Sequence, residues 1–306
     1  MGLFHCPVGA PYRDDYACID CGLCGAETTE EMVEASKKIR EYLRSQADRR
    51  SKLGKIAVCG KGGVGKSTVV TLFTSALVEE GFDVLVIDTD ESNPGLYRML
   101  GFEKEPKPLM RLLQRFSHEE LGLQAGWLEK DEIRIDDIPK EFLEEKDNLK
   151  FLMVGKIDDP FVGCACTMAD LSRDFLEKLI LGDKEKVIVD TEAGIESFGR
   201  GVERSVDTVL IIVEPTFESI SLADKISYMA DGIGVRMVRA VLNKIPSEEI
   251  ERKVSERLQK ANIKVTGSIY FDLKMSAAAL EGQPIGNSQA KEDAKKIVRS
   301  LLNGLN

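Results

Sequence analysis

What this 306-residue sequence lacks narrows it before any motif is read. No run approaches the roughly 20 apolar residues that a membrane-crossing helix needs, so no span is expected. Its opening stretch, MGLFHCPVGAPYRDDY, has neither the basic start nor the apolar core of a secretory leader, and a cytoplasmic location is the expectation. An excess of basic residues is missing too. Against 42 Lys and Arg stand 52 Asp and Glu, and the net charge of −10 offers no general attraction to nucleic acid or to an anionic membrane. There is no internal repeat and no low-complexity tract. Nor are the 7 cysteines an evenly spread, even-numbered set. Cys6, Cys18, Cys21 and Cys24 crowd the start, Cys59 is alone, and Cys164 and Cys166 are one residue apart. That pattern points to metal or redox use before structural disulfides.

What is present is a chain with 43% hydrophobic residues, long enough for one large domain and a small appendage. From Lys55 onward, short runs rich in Val and Ile alternate with helix-length segments: 56–59, 84–88, 151–154, 186–190, 208–213, 237–242 and 264–269. Such runs are those of a parallel sheet covered on both faces, and the fold class they predict is α/β, doubly wound. Before them, Thr28 and Glu31 fit a capping box opening a helix to Leu43, with Met32, Ile39 and Leu43 on one face. The charged stretch 46–54 reads as a linker, which sets a boundary near residue 52: an N-terminal cysteine-rich segment, 1–52, and a larger α/β domain, 53–306. Residues 102–148, rich in Glu and Lys, suggest a helical insertion, and 292–302 an amphipathic final helix packed on the sheet.

The strongest signal is Gly60-Lys-Gly-Gly-Val-Gly-Lys-Ser67, which satisfies GxxxxGK[ST] between an apolar strand and a helix. Gly60, Gly62, Gly63 and Gly65 let the backbone, with that of Val64 and Thr68, turn its N–H groups to phosphate oxygens. Lys66 reaches the β and γ phosphates of ATP, or the β phosphate of ADP, and the Ser67 hydroxyl suits Mg²⁺. Carboxylates stand at other strand ends, in Asp88-Thr-Asp90 and Asp190-Thr-Glu-Ala-Gly194. Beside a triphosphate they make sense only with a cation to screen them.

A second lysine, Lys61, is more than one triphosphate requires. Here the sequence resembles the deviant Walker A ATPases, the group that includes MinD and nitrogenase iron protein, and above all the CooC-type nickel-insertion ATPases of carbon monoxide dehydrogenase. The resemblance spans about residues 55 to 300. It implies a homodimer in which Lys61 reaches the partner's nucleotide, acting on transition-state charge as an arginine finger does. It also implies that Asp90 positions the attacking water, that Asp88 and Asp190 lie by Mg²⁺, that the Gly194 N–H senses the γ-phosphate, and that Asn243 contacts adenine.

Cys164-Ala-Cys166 supplies two of the four ligands a tetrahedral site needs. A twofold axis would supply the other two, although a pair of buried small residues is the plain alternative. By resemblance this pair binds Ni²⁺ or Zn²⁺, or a 4Fe-4S cluster, at the dimer interface. At the N-terminus, Cys18, Cys21 and Cys24 are spaced as CxxCxxC, with Cys6-Pro7 as a fourth ligand. The triple spacing favours 4Fe-4S over zinc, in a ferredoxin-like ligand set whose order is inverted. Ser197 stands where CooC-type chains typically carry histidine, and simple members lack the N-terminal cysteines. The resemblance therefore implies an ATPase that serves a client metalloenzyme such as carbon monoxide dehydrogenase. The other readings are an ATP-gated iron–sulfur electron donor and a positioning ATPase of the MinD type.

Overall fold

Eight strands of the described residues form one sheet, in the order β3-β4-β2-β5-β1-β6-β7-β8. They are β1 (Lys55–Gly60), β2 (Asp83–Asp88), β3 (Leu143–Lys146), β4 (Leu149–Met153), β5 (Glu185–Asp190), β6 (Thr208–Val213), β7 (Met237–Ile245) and β8 (Val265–Tyr270). All neighbours are parallel except β3 and β4, which form an antiparallel hairpin at one edge. The computed structural model describes residues 53–90, 95–114, 126–155, 165–195 and 202–303, with Phe198 and isolated positions between 28 and 38. Cys6, Cys18, Cys21, Cys24, Cys164, residues 46–52 of the linker and Ser197 lie outside them, whereas Leu53 at the linker's end is buried in the core and the Gly54 carbonyl accepts from the Val187 N–H.

Alternation along each strand builds two cores, because successive side chains leave a strand on opposite faces. Ala57 and Cys59 of β1, Leu85 and Ile87 of β2, and Val187 and Val189 of β5 join one core. Ile56 and Val58, Val84 and Val86, and Ile188 join the other. Both faces are apolar, so the strands read as unbroken hydrophobic runs. The first face is covered by α2 (Ala165–Lys178), α3 (Phe217–Gly232) and α4 (Glu248–Lys260), through Phe175, Leu176, Ala223, Ile226 and Leu258. The second is covered by α1 (Lys66–Glu79) and α6 (Gln289–Asn303), with Phe73 and Leu77 packed beside Ile297, Val298 and Leu301. The shorter α5 (Leu273–Glu281) lies between β8 and α6 in the chain. The final helix thus packs on the sheet, as its periodicity predicts. No helix of the described residues is long and apolar enough to cross a membrane. Cys59 is fully buried.

The described residues of 102–148 differ from the helical insertion that the region's composition suggests. Among its described residues there is one helical turn (Arg111–Gln114), two short 3₁₀ turns and the strand β3. The reason is anchoring: Ile133, Ile135, Ile138 and Phe142 are buried, and Trp127 sits 6.1 Å from the Phe175 ring and 6.3 Å from that of Phe142. The Leu-Glu-Glu-Lys sequence of β3 tolerates its position because a sheet edge accepts charge that a central strand does not. Upstream, Thr28 and Glu31 do exchange the two capping-box bonds, Glu31 N–H to Thr28 Oγ1 at 3.2 Å and Thr28 N–H to Glu31 Oε2 at 3.0 Å. Among the described positions there, Ala35 is buried, whereas Met32 is 45% exposed.

Candidate nucleotide site

Parallel strands gather their C-terminal ends on one side of the sheet, where open α/β folds bind ligands. Gly60 ends β1, Asp88 ends β2, Asp190 ends β5, and Glu214 follows β6. Asp88 and Asp190 are register partners on adjacent strands, so their carboxylates leave the same face side by side. Asp90 follows two residues after Asp88, with its N–H donating to Asp88 Oδ1 at 3.0 Å. All three are buried. The three carboxylates proposed from sequence are therefore brought together with Ser67, whose hydroxyl donates to Asp190 Oδ2 at 2.6 Å.

The loop between β1 and α1 is shaped for close approach of a ligand to backbone. Gly60 and Gly65 hold φ of 151° and 94°, in the region that favours glycine. A Cβ on Gly65 would lie 2.6 Å from Asn243 Nδ2, and one on Gly60 2.7 Å from the Ile212 carbonyl oxygen. Gly63 turns likewise, and Val64 is buried beneath the loop. The helices α3 and α4 begin with capping side chains, Thr216 and Ser247. Among the described residues α1 has no side-chain cap and no acidic residue in its first turn. Its N-terminus, at Gly65 to Thr68, thus presents a positive helix end with no capping side chain and no acidic residue of its own turn, as a phosphate site requires.

Electrostatics point the same way. Burial, with the charge of Asp88 beside it, raises the Asp190 carboxyl to about 7, against the opposing Ser67 hydroxyl and Lys66 ammonium. Asp190 Oδ1 has no hydrogen-bond partner among the described residues. A divalent cation suits such a carboxylate, since it favours the ionised form that burial opposes. Ser67 and Asp190 fit Mg²⁺ on this ground, with Asp88 near. Lys66 is 7% exposed and lies in the first turn of α1.

Asn243 is 1% exposed, and its amide donates to the Val64 carbonyl at 2.8 Å, which fixes the loop from below. The Gly194 N–H donates to the Gly60 carbonyl at 3.1 Å. Gly62 stands at the loop's crest near Ala193.

Residues 55–285 match the CobQ/CobB/MinD/ParA nucleotide binding domain family, CbiA. The chain belongs to that family. It is a P-loop ATPase of the MinD/ParA kind. An uncharacterized ATP-binding protein of Methanocaldococcus jannaschii is 46% identical over 253 residues, covering 81% of this chain and 99% of its own. The carbon monoxide dehydrogenase accessory protein CooC of Rhodospirillum rubrum is 34% identical over 233 residues, covering 74% and 88%. The MinC:MinD cell division complex of Aquifex aeolicus shares the fold, with a TM-score of 0.59 and 22% identity over 82% of this chain and 96% of that one.

Sequence reasoning about this CobQ/CobB/MinD/ParA-family site missed two residues. Glu214 and Lys244 meet at 3.4 Å, and Lys61 meets the other oxygen of the same carboxylate at 3.4 Å. Lys244 also donates to the Gly63 carbonyl at 2.6 Å from a backbone at φ 57°, uncommon outside glycine. A carboxylate just after an apolar strand was the available signal. The cysteine pair is placed only in part: Cys166 is the second residue of α2, and nothing is described of its side chain. Because α2 follows β4, its N-terminus lies at the same end of the sheet as the phosphate loop. Among the described residues no group of three His, Cys, Asp or Glu side chains is placed to hold a metal ion.

Proposed function

We propose that this chain is a homodimeric ATPase that couples ATP binding and hydrolysis to maturation of a metallocentre in a client enzyme, with nickel insertion into a carbon monoxide dehydrogenase-type enzyme as the specific case. The observation that carries the reading is the 34% identity to a carbon monoxide dehydrogenase accessory protein across most of both chains. Its chemistry follows from the site. Backbone N–H groups of residues 62–68 bind the β and γ phosphates, and Lys66 neutralises them. Asp90 orients the attacking water, and Lys61 serves the nucleotide of the partner subunit. Ser67 and Asp190 would hold Mg²⁺, which when bound would supply neutralisation of phosphate charge.

The cargo is a metal ion on Cys164 and Cys166 from each protomer, which completes four thiolates about a twofold axis. Cys6, Cys18, Cys21 and Cys24 hold a separate 4Fe-4S cluster. The reading of an ATP-gated electron donor is supported by those same N-terminal cysteines, whose CxxCxxC spacing suits iron and sulfide.

The test is metal and sulfide analysis with EPR on anaerobically purified full chain and on Cys166→Ser. The expected result is about four iron per protomer in both, and about half an equivalent of nickel or zinc per protomer lost in the variant. Loss of iron in Cys166→Ser would make the interface a redox centre and replace the maturation role by electron donation.

A further inference from the structure

Lys61 has a partner within its own chain. Its ammonium lies 3.4 Å from Glu214 Oε1, and the other carboxylate oxygen faces Lys244. The three side chains differ in how firmly they are held. Glu214 follows a fully buried strand, its N–H donates to the Ser219 hydroxyl at 3.1 Å, and Pro215 fixes the next φ. Lys244 is tied a second time, to the Gly63 carbonyl at 2.6 Å. The Lys61 side chain, 37% exposed, is paired with Glu214. So a rigid carboxylate sits between an anchored lysine and a more loosely held one, beside a loop built for phosphates.

We propose that Glu214 is a positioning residue of the ATPase: it parks Lys61 on its own protomer, and the phosphates of a bound nucleotide compete for that lysine and free it to reach across the dimer. The competition is physically easy, since a single pair at 3.4 Å whose lysine is partly open to solvent is weak, and a triphosphate brings more negative charge than one carboxylate. Lys244 keeps its grip on Gly63 throughout, so Glu214 can lose one lysine without disturbing the loop. This use of Lys61 rests on the dimeric reading above, whereas its parking on Glu214 does not.

Glu214→Gln in the full chain separates the two. The amide keeps the shape and removes the charge. First, acetylation by limiting sulfo-N-hydroxysuccinimide acetate without nucleotide is read by peptide mass spectrometry. Lys61 is expected to react about two- to five-fold faster in the variant, the range a weak, partly exposed pair spans, with Lys253, paired to Glu249, as the unchanged reference. Equal Lys61 rates overturn the proposal. Second, sedimentation at rising concentrations of the ATP analogue AMPPNP follows dimer formation. The variant is expected to reach half-dimer at about two- to five-fold less AMPPNP. A variant carrying both Glu214→Gln and Lys61→Ala should dimerise no better than Lys61→Ala alone. A gain that survives in the double variant overturns action through Lys61, because Glu214 would then be tuning the nucleotide directly. A wild-type chain that stays monomeric at saturating AMPPNP, with Lys61 labelling still governed by Glu214, removes the in-trans reading and leaves the parking role standing.

Discussion

Replacing Asp190 by Asn should stabilise the folded protein at neutral pH while damaging its ATPase. Asp190 is wholly buried, beside Asp88, and its carboxyl lies at about 7 against an ordinary 3.8. A group whose folded pKa is raised contributes stability at low pH and loses it as pH rises from the unfolded value to the folded one. The window is therefore from about pH 4 to about pH 7, the reverse of an ion-paired carboxylate. Above that window the ionised group costs at most about 4 kcal/mol, and at pH 5.5 about half as much. Asparagine carries no such charge and keeps an oxygen for the Ser67 hydroxyl. Its advantage over aspartate should grow from about 2 to about 4 kcal/mol between pH 5.5 and pH 8, or about 10 °C in Tm at the upper end. Urea and thermal unfolding in EDTA without nucleotide measure this, and Mg²⁺-dependent ATP hydrolysis should fall sharply in the same variant. An advantage that is absent, or that does not change with pH, would refute the argument that burial and Asp88 strain this carboxylate.

Two further substitutions probe the loop. Gly65→Ala puts a side chain at φ 94° and drives its Cβ to 2.6 Å from the Asn243 amide, so a loss of about 1–3 kcal/mol and weakened ATP binding are expected. Calorimetric titration with ATP and thermal unfolding check it, and unchanged values of both would show the loop to be pliant. Asn243→Ala strips the Val64 carbonyl of its buried donor and should cost about 1–3 kcal/mol by urea denaturation. A change within the error of extrapolation would mean that the loop holds its shape without Asn243.

The sheet was legible because its chemistry repeats. Both faces are covered, so each strand is a run such as Val84 to Ile87 that any hydrophobicity reading finds, and the glycine and lysine spacing of the loop has no common structural use. Asp88, Asp90, Asp190 and Ser67 were legible as strand-end and loop residues, and the structure brings them together. Less was legible where local propensity and long-range packing disagree. Leu-Glu-Glu-Lys of β3 has a helix-former's composition and becomes a strand through pairing with residues 149–152. Glu214 looked like any solvated carboxylate, and only the fold shows that residues 61 and 244 converge on it.

The bond from Asn243 to Val64 joins residues 179 positions apart. During synthesis the glycine-rich motif leaves the ribosome early, long before the strand that props it. A chain interrupted anywhere between Thr68 and Leu242 carries an intact phosphate-binding sequence without the Asn243 amide that props it. β1 likewise waits for β5 and β6, more than a hundred residues downstream, before it has neighbours to pair with. Nucleotide capture thereby becomes a late event in the life of the polypeptide, and ATP, by favouring the finished site over any partial one, acts on this chain as an inspector of its own completion.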